Sequence, residues 1–207
     1  MRKLKGKVKS IIEKHYSVTG EKKDSLSYTN GVKYNKNGSI SEILTDTSWL
    51  KIFPQYDENN NEIESSFTDQ DGNVIKQFFT YDKNGNNIED RNEFSIRTFE
   101  YDGKGNIVTE ITTNKGKQAS SSKYSYDSKN NITEVVFYNS ASSFKSKHTY
   151  EYDVNGNIIK DTFFDTPEHA ESFRKYTYLE FDINGNWKKR IEESKFPDLT
   201  EREISYY

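Results

Sequence analysis

The side chains most able to hold a cation belong to a short stretch that the chain repeats: DQDGN at 69–73, DKNGN at 82–86, DVNGN at 153–157 and DINGN at 182–186. Oxygen ligands alternating along a loop are the construction of acidic calcium sites. Asp69 and Asp71 are the best-placed pair, because the other copies carry one carboxylate and a bidentate Glu at the twelfth position is not systematic. The same residues also make a tight turn. An Asp at the first position accepts from backbone amides, Asn tolerates the third, and Gly supplies a positive φ. The turn is the expected use, with calcium at Asp69 and Asp71 as the weaker alternative and no metal expected elsewhere.

Other chemistry finds less support. His15, His148 and His169 have no partner at a metal-ligand interval such as i+2 or i+4, so they are expected as surface or strand residues. The serine run ASSSKYS at 119–125 has no G-x-S-x-G elbow, and scattered acids give no defined pair for glycoside hydrolysis. No catalytic residue and no cofactor is therefore assigned, and the chain is not expected to be an enzyme. Trp49 and Trp187, with the tyrosines behind them, are the candidate ligand-binding platform, because aromatic rings on an open sheet can stack on sugars. The competing use of those rings is the core. With no cysteine, disulfides, thiolate nucleophiles and zinc–sulfur sites are excluded.

These side chains need elements to hold them, and the composition favours strands. Leu, Ile, Val and Phe number 6, 17, 8 and 13 among 207 residues, a thin supply for a core, while 15 Tyr must contribute to burial. Ile, Tyr, Phe and Thr outnumber Leu heavily, which is a strand composition. The net charge of -3 and the number of aromatics argue against disorder. Basic and acidic residues are interspersed and the pI is near 5.8, so nucleic acid is not an expected partner. Arg2, Lys3, Lys5, Lys7 and Lys9 make the start locally basic, read as a solvated strand end. No apolar run reaches the ~20 residues of a membrane span. Residues 1–16 carry only Ile11-Ile12 as an apolar run and do not read as a signal peptide.

Aligned on an aromatic residue followed by Asp or Asn, the units start at Tyr34, Tyr56, Tyr81, Tyr101, Tyr126, Tyr152 and Phe181, at intervals of 20–29 residues. A loose period suits hairpins whose far turns differ in length. The corner reads as a three-residue hairpin loop, a type I turn followed by a positive-φ bulge residue. That loop pairs Tyr81 with Asn87, Tyr101 with Ile107, Tyr126 with Ile132, Tyr152 with Ile158 and Phe181 with Trp187. Softer turns are expected near 113–118, 138–144, 165–172 and 194–201. KVKSIIEKHYSV and SLSYTNGVKY, joined through TGEKK, are expected as a further hairpin. The fold class is all-β: tandem antiparallel hairpins in a continuous twisted or curved sheet, with a β-sandwich or open barrel as alternatives. About fourteen strands are expected in one repeat domain. Residues 1–33 would be a capping hairpin, 34–190 about seven repeats and 191–207 a cap strand.

The unit YEYDVNGNI at 150–158 resembles the tyrosine–aspartate repeat of the bacterial RHS/YD-repeat superfamily. LKGKVKSIIEKHY at 4–16 is similar to the start of small exported YD-repeat proteins common in Bacteroidetes. The resemblance covers roughly residues 34–190. It departs from the large shell-forming members in length, and it lacks their junction motif and a toxin region after DLTEREISYY. Encapsulation and toxicity are accordingly not carried over. The resemblance implies a bacterial cell-surface or periplasmic setting, an all-β repeat fold and contact with a glycan. The alternative function is a structural or protein–protein interaction scaffold without a small-molecule ligand, meeting another surface protein through edge strands or a sheet face.

Overall fold

The computed structural model describes residues 4–19, 22–45, 48–69 and 71–207. Arg2, Lys3, Gly20, Glu21 and Gln70 lie outside them. So do the ends of the basic start, the turn inside TGEKK and one residue of the DQDGN corner. Every regular element among the described residues is a strand, and all the pairings below are antiparallel, as the composition requires. The chain divides into two compact units, residues 55–173 and residues 2–54 with 174–207.

The central unit is a meander. Its strands are β6 (Glu62–Thr68), β7 (Val74–Tyr81), β8 (Asn87–Arg91), β9 (Ser95–Tyr101), β10 (Ile107–Asn114), β11 (Lys117–Tyr126), β12 (Ile132–Asn139), β13 (Phe144–Tyr152) and β14 (Ile158–Phe164). Each pairs with the next in chain order. The expected cross-strand pairs are present: Tyr81 with Asn87, Tyr101 with Ile107, Tyr126 with Ile132 and Tyr152 with Ile158.

The second unit contains both ends of the chain. Its strands are β1 (Val8–Thr19), β2 (Lys22–Tyr34), β3 (Ile40–Thr45), β4 (Ser48–Lys51), β16 (Trp187–Glu193) and β17 (Asp198–Tyr206). β5 (Phe53–Tyr56) and β15 (Ala170–Phe181) complete the seventeen. The order within the unit is β15-β16-β17-β1-β2-β3-β4, with Phe181 opposite Trp187 as expected. The N-terminal residues form the expected hairpin, Thr19 facing Lys22. The N-terminal and C-terminal strands pair with each other: Glu13 faces Arg202 and His15 faces Thr200. The strand number exceeds the expected fourteen partly because the run from 48 to 56 is interrupted at Ile52, whose amide bonds Ser41 O, with Pro54 just beyond.

The thin supply of aliphatics shows in the packing. Among the described residues, Ile11, Val135 and Leu199 are the buried apolar side chains, while Val74, Phe94, Phe196 and Ile183 stand largely in solvent. Strands such as VIKQFFTY of β7 alternate exposed and half-buried positions. Gly31, in the middle of β2, is a point of close approach. A Cβ there would lie 2.8 Å from Ile11 O and 3.1 Å from the Trp49 ring.

Candidate functional site

The repeated residues are spent on building corners. Nine stretches share one geometry, starting at Asn35, Asp57, Asp69, Asp82, Asp102, Asp127, Asn139, Asp153 and Asp182. In each, the first residue's amide donates to the carbonyl four residues on, and its own carbonyl accepts from the amide three residues on. The fourth position always has positive φ, whether Gly85 at 82°, Asn60 at 64°, Asn130 at 63° or Ser142 at 59°. The loop at 138–144, expected as a softer turn, is thus a ninth corner. Its sequence hides this because Asn139 and Ser142 replace the usual Asp and Gly. In the central unit the corners at 82, 102, 127 and 153 lie at one end of the meander, and those at 69 and 139 share the other end with a turn at Asn92–Ser95 and the two-residue turn at Lys115–Gly116.

The aspartates are saturated. Asp82 Oδ1 accepts from Asn84 N at 2.8 Å and Asn86 N at 2.9 Å, and Oδ2 accepts from Asn86 Nδ2 at 2.9 Å. Asp57, Asp102, Asp127 and Asp153 repeat the pattern. The calcium candidate is built the same way: Asp69 accepts from Asp71 N at 3.0 Å, Asn73 N at 2.8 Å and Asn73 Nδ2 at 3.1 Å. Asp71 contributes a backbone amide to this ring of bonds. The asparagine side chain first, and the backbone amides after it, hold the carboxyls of Asp57, Asp69, Asp82, Asp102 and Asp127 below the ordinary range. A folded-state pKa below the unfolded one stabilises above the unfolded value and is lost as pH falls through the folded one. Thermal melts should therefore hold steady down to about pH 4.5 and drop below about pH 4. A flat profile to pH 2.5 would contradict the assignment.

Four of the tyrosines that precede a corner Asp join that corner to an earlier one, whereas Tyr56 Oη, before Asp57, is buried with no hydrogen-bond partner among the described residues. Tyr81 Oη donates to Glu62 O at 2.9 Å, Tyr101 to Asn87 O at 2.5 Å, Tyr126 to Ile107 O at 2.6 Å and Tyr152 to Ile132 O at 2.7 Å. In each case the acceptor is the residue that follows a preceding corner's asparagine. Burial raises the phenols of Tyr81, Tyr101 and Tyr126, which keeps them protonated donors. Sequence reasoning read these rings as packing residues; the hydroxyl role was hidden because its acceptors are backbone carbonyls. Tyr126→Phe should cost about 1 kcal/mol, or about 3 °C in Tm, with the sheet otherwise unchanged.

The last corner differs. Phe181 has no hydroxyl, and Asn186 turns its amide to the N-terminal segment: Oδ1 accepts from Lys5 N and Nδ2 donates to Lys5 O, both at 2.8 Å. Tyr206 Oη donates to Asp182 Oδ2, and Tyr207 N donates to Lys7 O at 3.0 Å. A side-chain amide here does the work of a strand.

A cluster of titratable groups lies on β1, β2 and β17. His15 is buried, with its ring stacked on Tyr28 at 4.1 Å. Its Nδ1 is 3.2 Å from Asp198 Oδ1, and its Nε2 is 3.7 Å from Glu13 Oε2. Thr200, fully buried, donates to Asp198 Oδ1 at 2.8 Å, and Arg202 Nε meets Glu13 Oε1 at 2.6 Å. Burial alone would lower the imidazole, but Glu13 and Asp198 outweigh it and raise the pKa. Burial would raise Glu13, but His15 and Arg202 bring it down to about 2. Nothing in the spacing of residues 13, 15, 198, 200 and 202 announces this cluster, because it requires the chain ends to pair. His148 makes a similar pair with Asp161 at 2.8 Å, and His169 is exposed.

Of the two tryptophans, Trp187 lies 3.3 Å from the Arg202 guanidinium carbon, measured to the ring centroid, and Trp49 lies 4.2 Å from Lys33 Nζ. Cross-strand partners share a sheet face and neighbours in a strand alternate. Trp49 faces Leu44, Leu44 faces Gly31 and Gly31 faces Ile12, whereas Trp187 shares the face of Arg202 and hence of Glu13. The two rings therefore occupy opposite faces, and β16 and β4 are five strands apart in the unit. Each would have to act alone.

Residues 83–196, more than half of the chain and spanning the corners at 102, 127, 139, 153 and 182, match the teneurin YD-shell family. The chain belongs to the teneurin YD-shell family. The tyrosine–aspartate resemblance of its repeats is thereby met. Among solved structures, the YD-shell chain is similar to a porin-like protein from Bacteroides vulgatus, at 14% identity and TM-score 0.52, covering 94% of this chain and 97% of that one. This is a likeness of fold. A porin-like protein from Bacteroides uniformis follows at 11% identity and TM-score 0.46, covering 96% of each chain. The Tc holotoxin pore of Photorhabdus luminescens matches 90% of the YD-shell chain at 18% identity and TM-score 0.42. The chain spans only 10% of that protein's length. No curated protein matches the sequence.

Proposed function

We propose that this YD-shell chain is a non-catalytic repeat scaffold, exported by a bacterium, that works by presenting its sheet faces to another surface protein. The observation that carries this reading is the internal use of the repeated residues. The carboxylates of Asp57, Asp69, Asp82, Asp102, Asp127 and Asp153 are filled by the asparagines and amides of their own loops, and the hydroxyls of Tyr81, Tyr101, Tyr126 and Tyr152 by neighbouring carbonyls. What the sequence repeats is spent on holding the sheet, which leaves the variable side chains between corners to meet a partner. A glycan platform shared by Trp49 and Trp187 has no support in this arrangement, since the rings lie on opposite faces.

Affinity capture of the tagged chain from bacterial envelope extract, run beside a glycan array, tests the proposal. A saturable protein partner lost on substituting face residues such as Phe78 and Ile96 is the expected result. Array binding abolished by Trp49→Ala or Trp187→Ala, with no protein captured, would replace the scaffold reading with glycan recognition.

A further inference from the structure

Arg190 makes no ion pair among the described residues. On β16 it faces Thr200 of β17 and Tyr178 of β15. Its guanidinium carbon lies 4.6 Å from the Tyr176 ring centroid and 4.7 Å from that of Trp187, while its Nε is shut off from water with no acceptor. The carboxylates on the same face are engaged elsewhere. Glu13 is held by Arg202, Asp198 by His15 and Thr200, and Glu192 pairs with Arg174 at 3.7 Å. Arg202, against the same tryptophan ring, adds a second positive charge nearby.

A partly buried guanidinium lacking an anion is an unfavourable arrangement that an external anion would relieve. The flanking rings tolerate the cation through their negative faces and exclude water from its stem, but they do not neutralise it. The planar fork of arginine suits a carboxylate or a tetrahedral oxyanion better than any other common ligand group.

We propose that Arg190, held between Trp187 and Tyr176, is a receptor for the oxyanion of a small ligand: a carboxylate, sulfate or phosphate group. The site stands apart from the corners and does not depend on the scaffold reading.

The test uses the full chain carrying Trp49→Phe, so that Trp187 is the remaining tryptophan. Sodium acetate, sodium sulfate and sodium phosphate are titrated separately at constant ionic strength, with fluorescence and Tm recorded. At least one should give a saturable change in both. Arg190→Gln should weaken that response about tenfold or more, and Arg190→Lys, which keeps the charge but loses the fork, by an intermediate amount. Which of the three salts saturates first identifies the anion class. A response that is linear, that follows ionic strength alone, or that is undiminished in both Arg190 variants would overturn the proposal. So would the lack of any response up to about 50 mM, where even a millimolar site is saturated.

Discussion

Arg202→Ala is expected to destabilise the protein by about 3 kcal/mol, read from urea denaturation at pH 7. The substitution removes the guanidinium from Glu13 Oε1 and from the Trp187 ring, and it leaves Glu13, only 21% exposed, without its arginine. A charge left unpaired in such a place costs more than the pair contributed. Replacing both residues with apolar ones, Arg202→Met with Glu13→Leu, should therefore recover most of the loss. A double variant as unstable as the single one would mean that packing, and not charge, is at stake. Glu13 also fixes the sign of the pH response. Its pKa falls from 4.5 to about 2 on folding, so its contribution of about 3 kcal/mol is present above pH 4.5 and disappears towards pH 2. The acid-induced loss should be visibly smaller in Arg202→Ala. His15 has the opposite sign: its folded pKa is raised, so its stabilisation is complete below about pH 6.5 and fades as pH rises through the folded value.

Gly31→Ala is expected to cost about 2 kcal/mol, a large effect for one methyl group. The new Cβ would stand 2.8 Å from Ile11 O, an atom of the neighbouring strand's backbone, so β1 and β2 must separate to admit it. Trimming the nearby ring with Trp49→Phe should restore little, since the carbonyl is the closer obstacle. Gly103→Ala is the matched control. It has open space around it and no positive φ, and its Tm should barely move. Equal losses at the two glycines would show that the contact with Ile11 O does not set the cost, since Gly→Ala by itself lowers the entropy of the unfolded chain and stabilises.

The corners and their register were legible in the sequence because both depend on local chemistry. An Asp, a residue able to hold positive φ and an Asn four positions after the Asp determine a loop, and the loop determines which residues face each other across it. The corner at 139–143 was missed because Asn and Ser can serve the same geometry without the usual letters. The tyrosine hydroxyls were missed because a carbonyl acceptor leaves no mark in composition. The cluster of His15, Glu13, Asp198, Thr200 and Arg202 was out of reach, since its members come together only when residues near opposite ends of the chain pair. Trp49 and Trp187 looked equivalent as letters, and only the register separates them onto two faces.

The tyrosine bonds also imply an order of assembly. Each of these hydroxyls donates to a residue made earlier, Tyr81 to Glu62 and Tyr152 to Ile132, over separations of 14–20 residues. A chain emerging from the ribosome could thus secure one hairpin to its predecessor as soon as the next tyrosine appeared. Glu13 waits for Arg202, 189 residues later. Local contacts form quickly and distant ones slowly. The central unit is therefore set up to form progressively during synthesis, while β1 remains without β17 until translation reaches that strand.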